Sequence, residues 1–250
     1  EIAFMGKTYT VEEATFDSFK GIDIALFAGG SISKDFAPHA VKAGAVVIDN
    51  SSAFRMDPEV PLVVPEVNPQ AILKHKGIIA NPNCSTIIMV MALKPIYDLA
   101  KIKRVIVSTY QAVSGAGKEG IDELDAQVRE HSEGREMTAN ILPSASAEKH
   151  YPIAFNLIPQ IDVFCDNLYT KEEMKMVNET KKIMEDYEMR ITATTIRVPV
   201  YRSHSESVNI ELEKEVDLGA MREALAKFPG VTVQDDPSKQ EYPMPLYTSE

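Results

Sequence analysis

The sequence is poor in cysteine, in basic charge and in long apolar runs. Two cysteines at unrelated positions in 250 residues make no disulfide framework, which points to a reducing compartment. Against 37 Asp and Glu stand only 26 Lys and Arg, a net charge of −11. Such a field repels phosphate backbones and anionic bilayers, so neither nucleic acid nor a membrane is expected as a partner. No apolar run reaches the ~18 residues of a membrane span. No charged n-region followed by an apolar h-region opens the chain, so no signal peptide is read and a cytoplasmic location is expected. No metal is expected. The chain also has no initiator Met, and residues 242–247 carry no sequence pattern of a closing helix or strand; a truncated polypeptide is the expectation.

What is present is ordinary for a soluble globular chain: 44% apolar and 25% charged residues, enough for one large domain or two small ones. Residues 22–28 are a near-continuous apolar run ending in Gly29-Gly30-Ser31, which reads as a buried parallel strand and a turn. Residues 33–42 read as a helix with Gly44 just beyond it. Residues 45–48, 62–64 and 77–80 read as further short strands. Strands alternating with helices indicate βαβ units, with polar turns at strand ends where open α/β sheets bind ligands. After Cys84 the pattern changes. Residues 104–113 form a long β-rich stretch. Ile121, Leu124 and Val128 share one helical face, as do Met174, Val177 and Met184. Ile196, Val198 and Val200 alternate with Thr195, Arg197 and Pro199, and Val208, Ile210 and Leu212 alternate with polar residues. Half-polar strands suit an antiparallel or mixed sheet with one face under helices. A second, α+β domain is therefore expected from Cys84 onward.

The stretch Asn81-Pro82-Asn83-Cys84-Ser85-Thr86 lies between the strand at 77–80 and an apolar helix at 87–99. A thiol at a helix start, beside unpaired N–H groups, is expected to lose its proton more easily than a free one. The competing reading is a small residue that merely begins a helix. His204, in Tyr201-Arg202-Ser203-His204-Ser205-Glu206-Ser207, offers the distant imidazole of a Cys/His pair; alone, such a residue is more often a surface or hydrogen-bonded histidine than a base. Gly115-Ala116-Gly117-Lys118-Glu119-Gly120 matches G-x-G-x-x-G, but residues 137–143 make a poor second strand. It is set aside as a pyrophosphate site and kept as a loop that lets backbone approach a ligand.

Taken in order, several segments resemble the aspartate-β-semialdehyde dehydrogenase family. They are Asn81 to Thr86, Ser108-Thr109-Tyr110-Gln111-Ala112-Val113-Ser114-Gly115-Ala116-Gly117, Asn156-Leu157-Ile158-Pro159-Gln160-Ile161, Glu172-Glu173-Met174-Lys175, Arg197-Val198-Pro199-Val200 and His204 to Ser207. The resemblance implies a Rossmann-type parallel-sheet domain, residues 1–83 and incomplete at its start. It also implies an α+β catalytic and dimerisation domain with a mixed sheet, residues 84–250. The implied reaction interconverts aspartyl phosphate and aspartate semialdehyde, with NADP as cofactor and inorganic phosphate as co-substrate, in lysine, methionine and threonine biosynthesis. Cys84 would form a thioester, His204 would move protons to and from the thiol and the hemithioacetal oxygen, and Gln111 would orient the thioester. Arg197 would grip the α-carboxylate, and Glu172 would receive the ammonium. Lys175 and Arg55 would hold phosphate, helped by Asn83. Gly29, Gly30 and Ser31 would lie against the cofactor, with Ser114, Gly115 and Gly117 on its nicotinamide side. A homodimer or dimer of dimers is implied. The family's Gly-rich phosphate loop and 2′-phosphate-reading residues would precede Glu1, and a long helix would follow residue 250. N-acetyl-glutamyl-phosphate reductase, and a catalytically silent dimer-forming fragment, are the alternatives.

Overall fold

The computed structural model describes residues 1–249. The chain divides into two compact units, one of residues 1–63 and 69–82, the other of residues 64–68 and those from Asn83 on.

In the first unit, β1 (Ile2–Phe4) and β2 (Lys7–Tyr9) form an antiparallel hairpin. Met5 and Gly6 turn it with φ of +48° and +74°, the two positive values that a tight two-residue hairpin turn needs. Nothing in the apolar pattern foretold it, because every residue of both strands is exposed. The parallel sheet has the order β3 (Ile24–Phe27), β4 (Val46–Asp49), β5 (Ile78–Ala80). Helix α1 (Ser33–Lys42) covers it, with Ala37 and Ala40 packed against Ala25, Ala45 and Val47. Gly44 follows α1 at φ +100°, the left-handed conformation that ends helices cheaply only at glycine.

Residues 62–64 depart from expectation. They are buried but form no strand. Leu62 makes one parallel bridge to Ala80, flanked by bonds from Val63 N–H to the Ala80 carbonyl and from Ala80 N–H to the Pro61 carbonyl. Pro61 and Pro65 bracket the run and have no N–H with which to continue a ladder.

The second unit carries α2 (Cys84–Ala100), β6 (Ile102–Gln111), α3 (Gly117–Ser132), α4 (Lys171–Met184), β7 (Arg190–Arg197), β8 (Ser205–Leu212), α5 (Leu218–Lys227) and α6 (Pro245–Thr248). Its sheet runs β7-β6-β8, with β7 parallel and β8 antiparallel to β6: the mixed sheet expected. Met89 and Leu93 of α2 and Met176 of α4 pack on Val105, Val107 and Ala193, covering one face. On the other face Ile106 and Tyr110 stand 36% and 42% exposed. Between α3 and α4 the described residues form no helix or strand, consistent with setting aside the glycine motif. Gly120 has a local reason to be glycine: a Cβ there would lie 2.6 Å from the Val113 carbonyl oxygen.

Two expected faces are turned. On α4 the buried stripe is Glu172, Met176, Glu179 and Ile183, whereas Met174, Val177 and Met184 are only half-buried. On β7 the polar side is the inner one: Thr195 and Arg197 are buried, and the strand ends at Arg197, before Pro199. Both shifts have one cause. At this end of the sheet the covered layer is polar, so apolar periodicity marks the wrong side.

Candidate active site

Helix α2 begins where the site begins. Asn83 is its N-cap, extended at φ −61° and ψ 144°, and its side-chain oxygen accepts the Thr86 N–H at 3.1 Å. This satisfies one of the helix's orphan donors and makes Cys84 the first helical residue. The Asn83 N–H is held by Glu179 Oε2 at 2.7 Å. The loop between β7 and β8 turns at Ser203, φ +66°, and sets His204 Nε2 3.3 Å from Cys84 Sγ.

The expected easing of thiol ionisation is not found. Burial first, then the charge of Glu172, push the Cys84 thiol above its ordinary value, and the Ser85 N–H, the Ser85 hydroxyl and Arg197 pull the other way without prevailing. A helix terminus contributes a fraction of a charge, while Glu172 contributes a whole one nearby. His204 is pushed down to about 4, by burial and then by Arg197, so its imidazole is neutral near neutral pH.

Glu172 is the hub of the polar layer. Its Oε1 accepts from Asn83 Nδ2 at 2.9 Å and from Gln111 Nε2 at 3.1 Å, and its Oε2 faces Lys175 Nζ at 3.1 Å. Burial opposes its charge, but Lys175, Asn83 and Gln111 hold the carboxyl below its usual range. Lys175 is shared with Asp162 at 3.0 Å, and Gln111 Oε1 accepts the Thr109 hydroxyl at 3.0 Å. Arg197, opposite Gln111 in the sheet register, donates through Nη1 to the Ala112 carbonyl at 2.7 Å. Its buried Nε has no hydrogen-bond partner among the described residues. A Cβ on Gly115 would stand 2.7 Å from Arg197 Nη1 and 3.4 Å from His204 Cε1, so the lack of a side chain at Gly115 makes room for both.

The second unit thus brings together Asn83, Cys84, Gln111, Glu172, Lys175, Arg197 and His204, with Gly115 against two of them. Ser114 donates its N–H to the Tyr201 carbonyl, and Gly117, φ +79°, opens α3 with free space where a Cβ would stand. The other expected residues belong to the first unit. Arg55 is buried there and donates to the Asn50 carbonyl at 2.9 Å. Gly29, Gly30 and Ser31 follow the C-terminal end of β3, and Gly30, φ +64°, has open space at its Cβ position. Sequence reasoning passed over Asp162, Thr109, Ala112 and Glu179. Each acts on a neighbour rather than on a ligand, and nothing in their spacing marks them. Among the described residues no cluster of three His, Cys, Asp or Glu could hold a metal ion.

Glu206 was also passed over. It lies on β8 opposite Thr109, both oxygens are buried without a hydrogen-bond partner among the described residues, and burial raises its carboxyl to about 8. The folded chain therefore keeps a proton that the unfolded chain releases, and stability falls as pH rises through that window. His204 works oppositely, between about 4 and 6.5, where stability rises with pH. Above that the Glu206 effect stands alone. Urea denaturation from about pH 6.5 to 8 should show wild-type stability falling by up to about 1.4 kcal/mol per pH unit, and Glu206→Gln should flatten the slope. An equal slope in both proteins would place the titration elsewhere.

Residues 2–75 match the family described as semialdehyde dehydrogenase, NAD binding domain, and residues 93–250 match semialdehyde dehydrogenase, dimerisation domain. Aspartate-semialdehyde dehydrogenase from Aquifex aeolicus is 58% identical over 249 residues, covering 98% of this chain and 72% of that protein. The Bacillus subtilis enzyme of the same name is 55% identical, covering 98% and 71%. The crystal structure of aspartate semialdehyde dehydrogenase II from Vibrio cholerae superposes with a TM-score of 0.88 at 46% identity, covering 98% of this chain and 71% of that one. A second Vibrio cholerae structure, described as complexed with ASA, is 45% identical with the same TM-score.

Proposed function

The chain belongs to the aspartate-semialdehyde dehydrogenase family, and we propose that it interconverts L-aspartyl 4-phosphate and L-aspartate 4-semialdehyde through a thioester on Cys84. The observation that carries this reading is the sulfur of Cys84, at the start of α2, 3.3 Å from His204 Nε2 in a layer that also holds the buried Arg197 guanidinium and the buried Glu172 carboxylate. In the synthetic direction the thiolate of Cys84 attacks the acyl carbon. The C–S bond forms, the C–O bond to phosphate breaks, and inorganic phosphate leaves.

Arg197 reads the α-carboxylate. With Nη1 tied to Ala112, its unpartnered Nε and adjoining Nη2 form the edge for a two-point grip. Glu172, kept ionised by Lys175, Asn83 and Gln111, takes the α-ammonium. Gln111, fixed at both ends by Thr109 and Glu172, orients the thioester carbonyl. Lys175 and Asn83 hold the phosphate; Arg55, in the first unit, is proposed for that role on the family resemblance alone. That role asks Lys175 to exchange part of its bond to Asp162 for substrate.

The open backbone at Gly30 after a parallel strand suits close approach by a dinucleotide, and Gly29 and Ser31 would share that contact. Ser114, Gly115 and Gly117 would face the nicotinamide. When bound, the cofactor supplies or receives the hydride. The matched family is described as NAD-binding; NADP is proposed on the family resemblance. We propose a homodimer, or a dimer of such dimers, because residues 93–250 match a dimerisation domain and the uncovered sheet face exposes Ile106 and Tyr110. A working free thiol favours a reducing cytoplasm. Among the described residues no helix is long and apolar enough to cross a membrane. The reaction would serve lysine, methionine and threonine biosynthesis.

The test is phosphate-dependent reduction of NADP by L-aspartate 4-semialdehyde, followed by absorbance. Activity with that substrate and none with an N-acylated glutamate semialdehyde is expected, because an acylated amine gives Glu172 no cation to bind. The reverse preference would favour the acetyl-glutamyl enzyme, and inertness towards both would favour a silent fragment.

A further inference from the structure

Lys175 is one cation between two carboxylates. Its Nζ lies 3.1 Å from Glu172 Oε2, one turn back on α4, and 3.0 Å from Asp162 Oδ2, in the segment before that helix. Asp162 is firmly built in. Its backbone is left-handed at φ +67°, a conformation that Asp and Asn accept more readily than other residues with a Cβ. Its Oδ1 accepts the Val163 N–H at 2.8 Å, and its carbonyl accepts from Gln160 Nε2 at 3.1 Å. The Val163 carbonyl in turn takes the Lys171 N–H at the start of α4. With Oδ1 occupied in this way, Oδ2 is the oxygen turned to Lys175.

The charges do not balance. Burial opposes the Asp162 charge, but the Val163 N–H and Lys175 hold its carboxyl below the usual range. Glu172 is ionised too, so two negative charges stand against one positive. Glu172 already holds the ammonium of Lys175 from the same helix face, as residues three apart can. The second carboxylate is therefore not needed to place Lys175. What it adds is an excess of negative charge beside the cation that is to meet phosphate.

We infer that Asp162 is a positioning residue that competes with inorganic phosphate for Lys175 and so keeps phosphate binding weak. This rests on the reading above that Lys175 holds phosphate. Without phosphate, Oδ2 of Asp162 satisfies the ammonium. With phosphate, Lys175 shares its third hydrogen or gives up Oδ2, and two anions face each other across one cation. Phosphate is the leaving group in the synthetic direction, and Asp162 reclaims the lysine as it goes.

Asp162→Asn isolates the charge. Asparagine tolerates the left-handed backbone, and its amide oxygen can keep the Val163 N–H. The amide nitrogen then takes the place of Oδ2, where it donates rather than accepts. Lys175 loses one competitor for phosphate and keeps Glu172. Calorimetry of the full chain with inorganic phosphate should give a Kd about three- to tenfold lower for Asp162→Asn than for wild type, the scale of a partly exposed charge interaction. The gap should narrow in high salt. KM for phosphate should fall in step. Thioester formation from aspartate semialdehyde and oxidised cofactor, without phosphate, should stay within about twofold of wild type; a merely structural role would slow it and leave phosphate binding no tighter. Asp162→Gly, equally at ease at positive φ, should also tighten phosphate, by less, because it brings no new donor.

A phosphate Kd equal to or above wild type in both variants would overturn the inference and make Asp162 a support for Lys175. Lys175→Gln separates the parent reading. If that variant binds phosphate as wild type does, the phosphate role of Lys175 fails and the competition fails with it. If it loses phosphate while the Asp162 variants gain none, the competition alone fails.

Discussion

Cys84→Ser should lower acyl transfer by about 10⁴-fold or more, the scale on which loss of a covalent nucleophile is felt. A hydroxyl near neutral pH is almost wholly protonated and far harder to ionise than a thiol, so it supplies almost no nucleophile. The fold should be untouched. Asn83 still caps α2 through Thr86, and serine is well tolerated in a first helical turn. Binding should also survive, since Arg197 and Glu172 are unchanged. Calorimetry with aspartate semialdehyde separates the two effects. Weak binding together with lost turnover would mean that Cys84 supports the site's structure, and wild-type turnover would remove it from the chemistry.

Arg197→Lys should be nearly as damaging, though for another reason. An ammonium keeps the charge but not the planar fork. It would give up either the Ala112 carbonyl or the substrate carboxylate. Losing one partner of a buried charge pair costs about 3–5 kcal/mol, so kcat/KM for aspartate semialdehyde should fall by at least about 10²-fold. A small aldehyde without an α-carboxylate should lose much less, from a lower starting rate. Equal losses for both would say that the lysine had freed the Ala112 peptide and with it His204, whose Nδ1 accepts the Ala112 N–H, making Arg197 a support for the imidazole rather than a reader of substrate.

How far the sequence could be read depends on what kind of residue was doing the signalling. The parallel strands of the first unit are short apolar runs between turns, and α1 ends at Gly44, where a positive φ is required; both show in the sequence. The bridge at Leu62 failed to become a strand because of two flanking prolines that apolar pattern ignores. The α4 and β7 faces were misjudged where function intrudes. Glu172, Glu173, Glu179, Thr195 and Arg197 are all buried, each held by a partner far off in the chain. Periodicity assumes that the inside is apolar, and at this end of the sheet it is not. The nucleophile and its imidazole could be named from residue type and motif, but not the state of either. The raised thiol follows from burial first and then from Glu172, 88 positions along the chain. The lowered imidazole follows from burial first and then from Arg197.

The central claim is a covalent aspartyl thioester on Cys84, and intact mass spectrometry tests it directly. Wild-type protein mixed with aspartate semialdehyde and oxidised cofactor, without phosphate, has no acyl acceptor other than water, so the thioester should accumulate. After an acid quench, the mass should rise by one aspartyl group. Peptide mapping should place it on Cys84, and both phosphate and the Cys84→Ser substitution should remove it. Phosphate-dependent turnover with no adduct, or with the adduct on Cys165, would contradict the account.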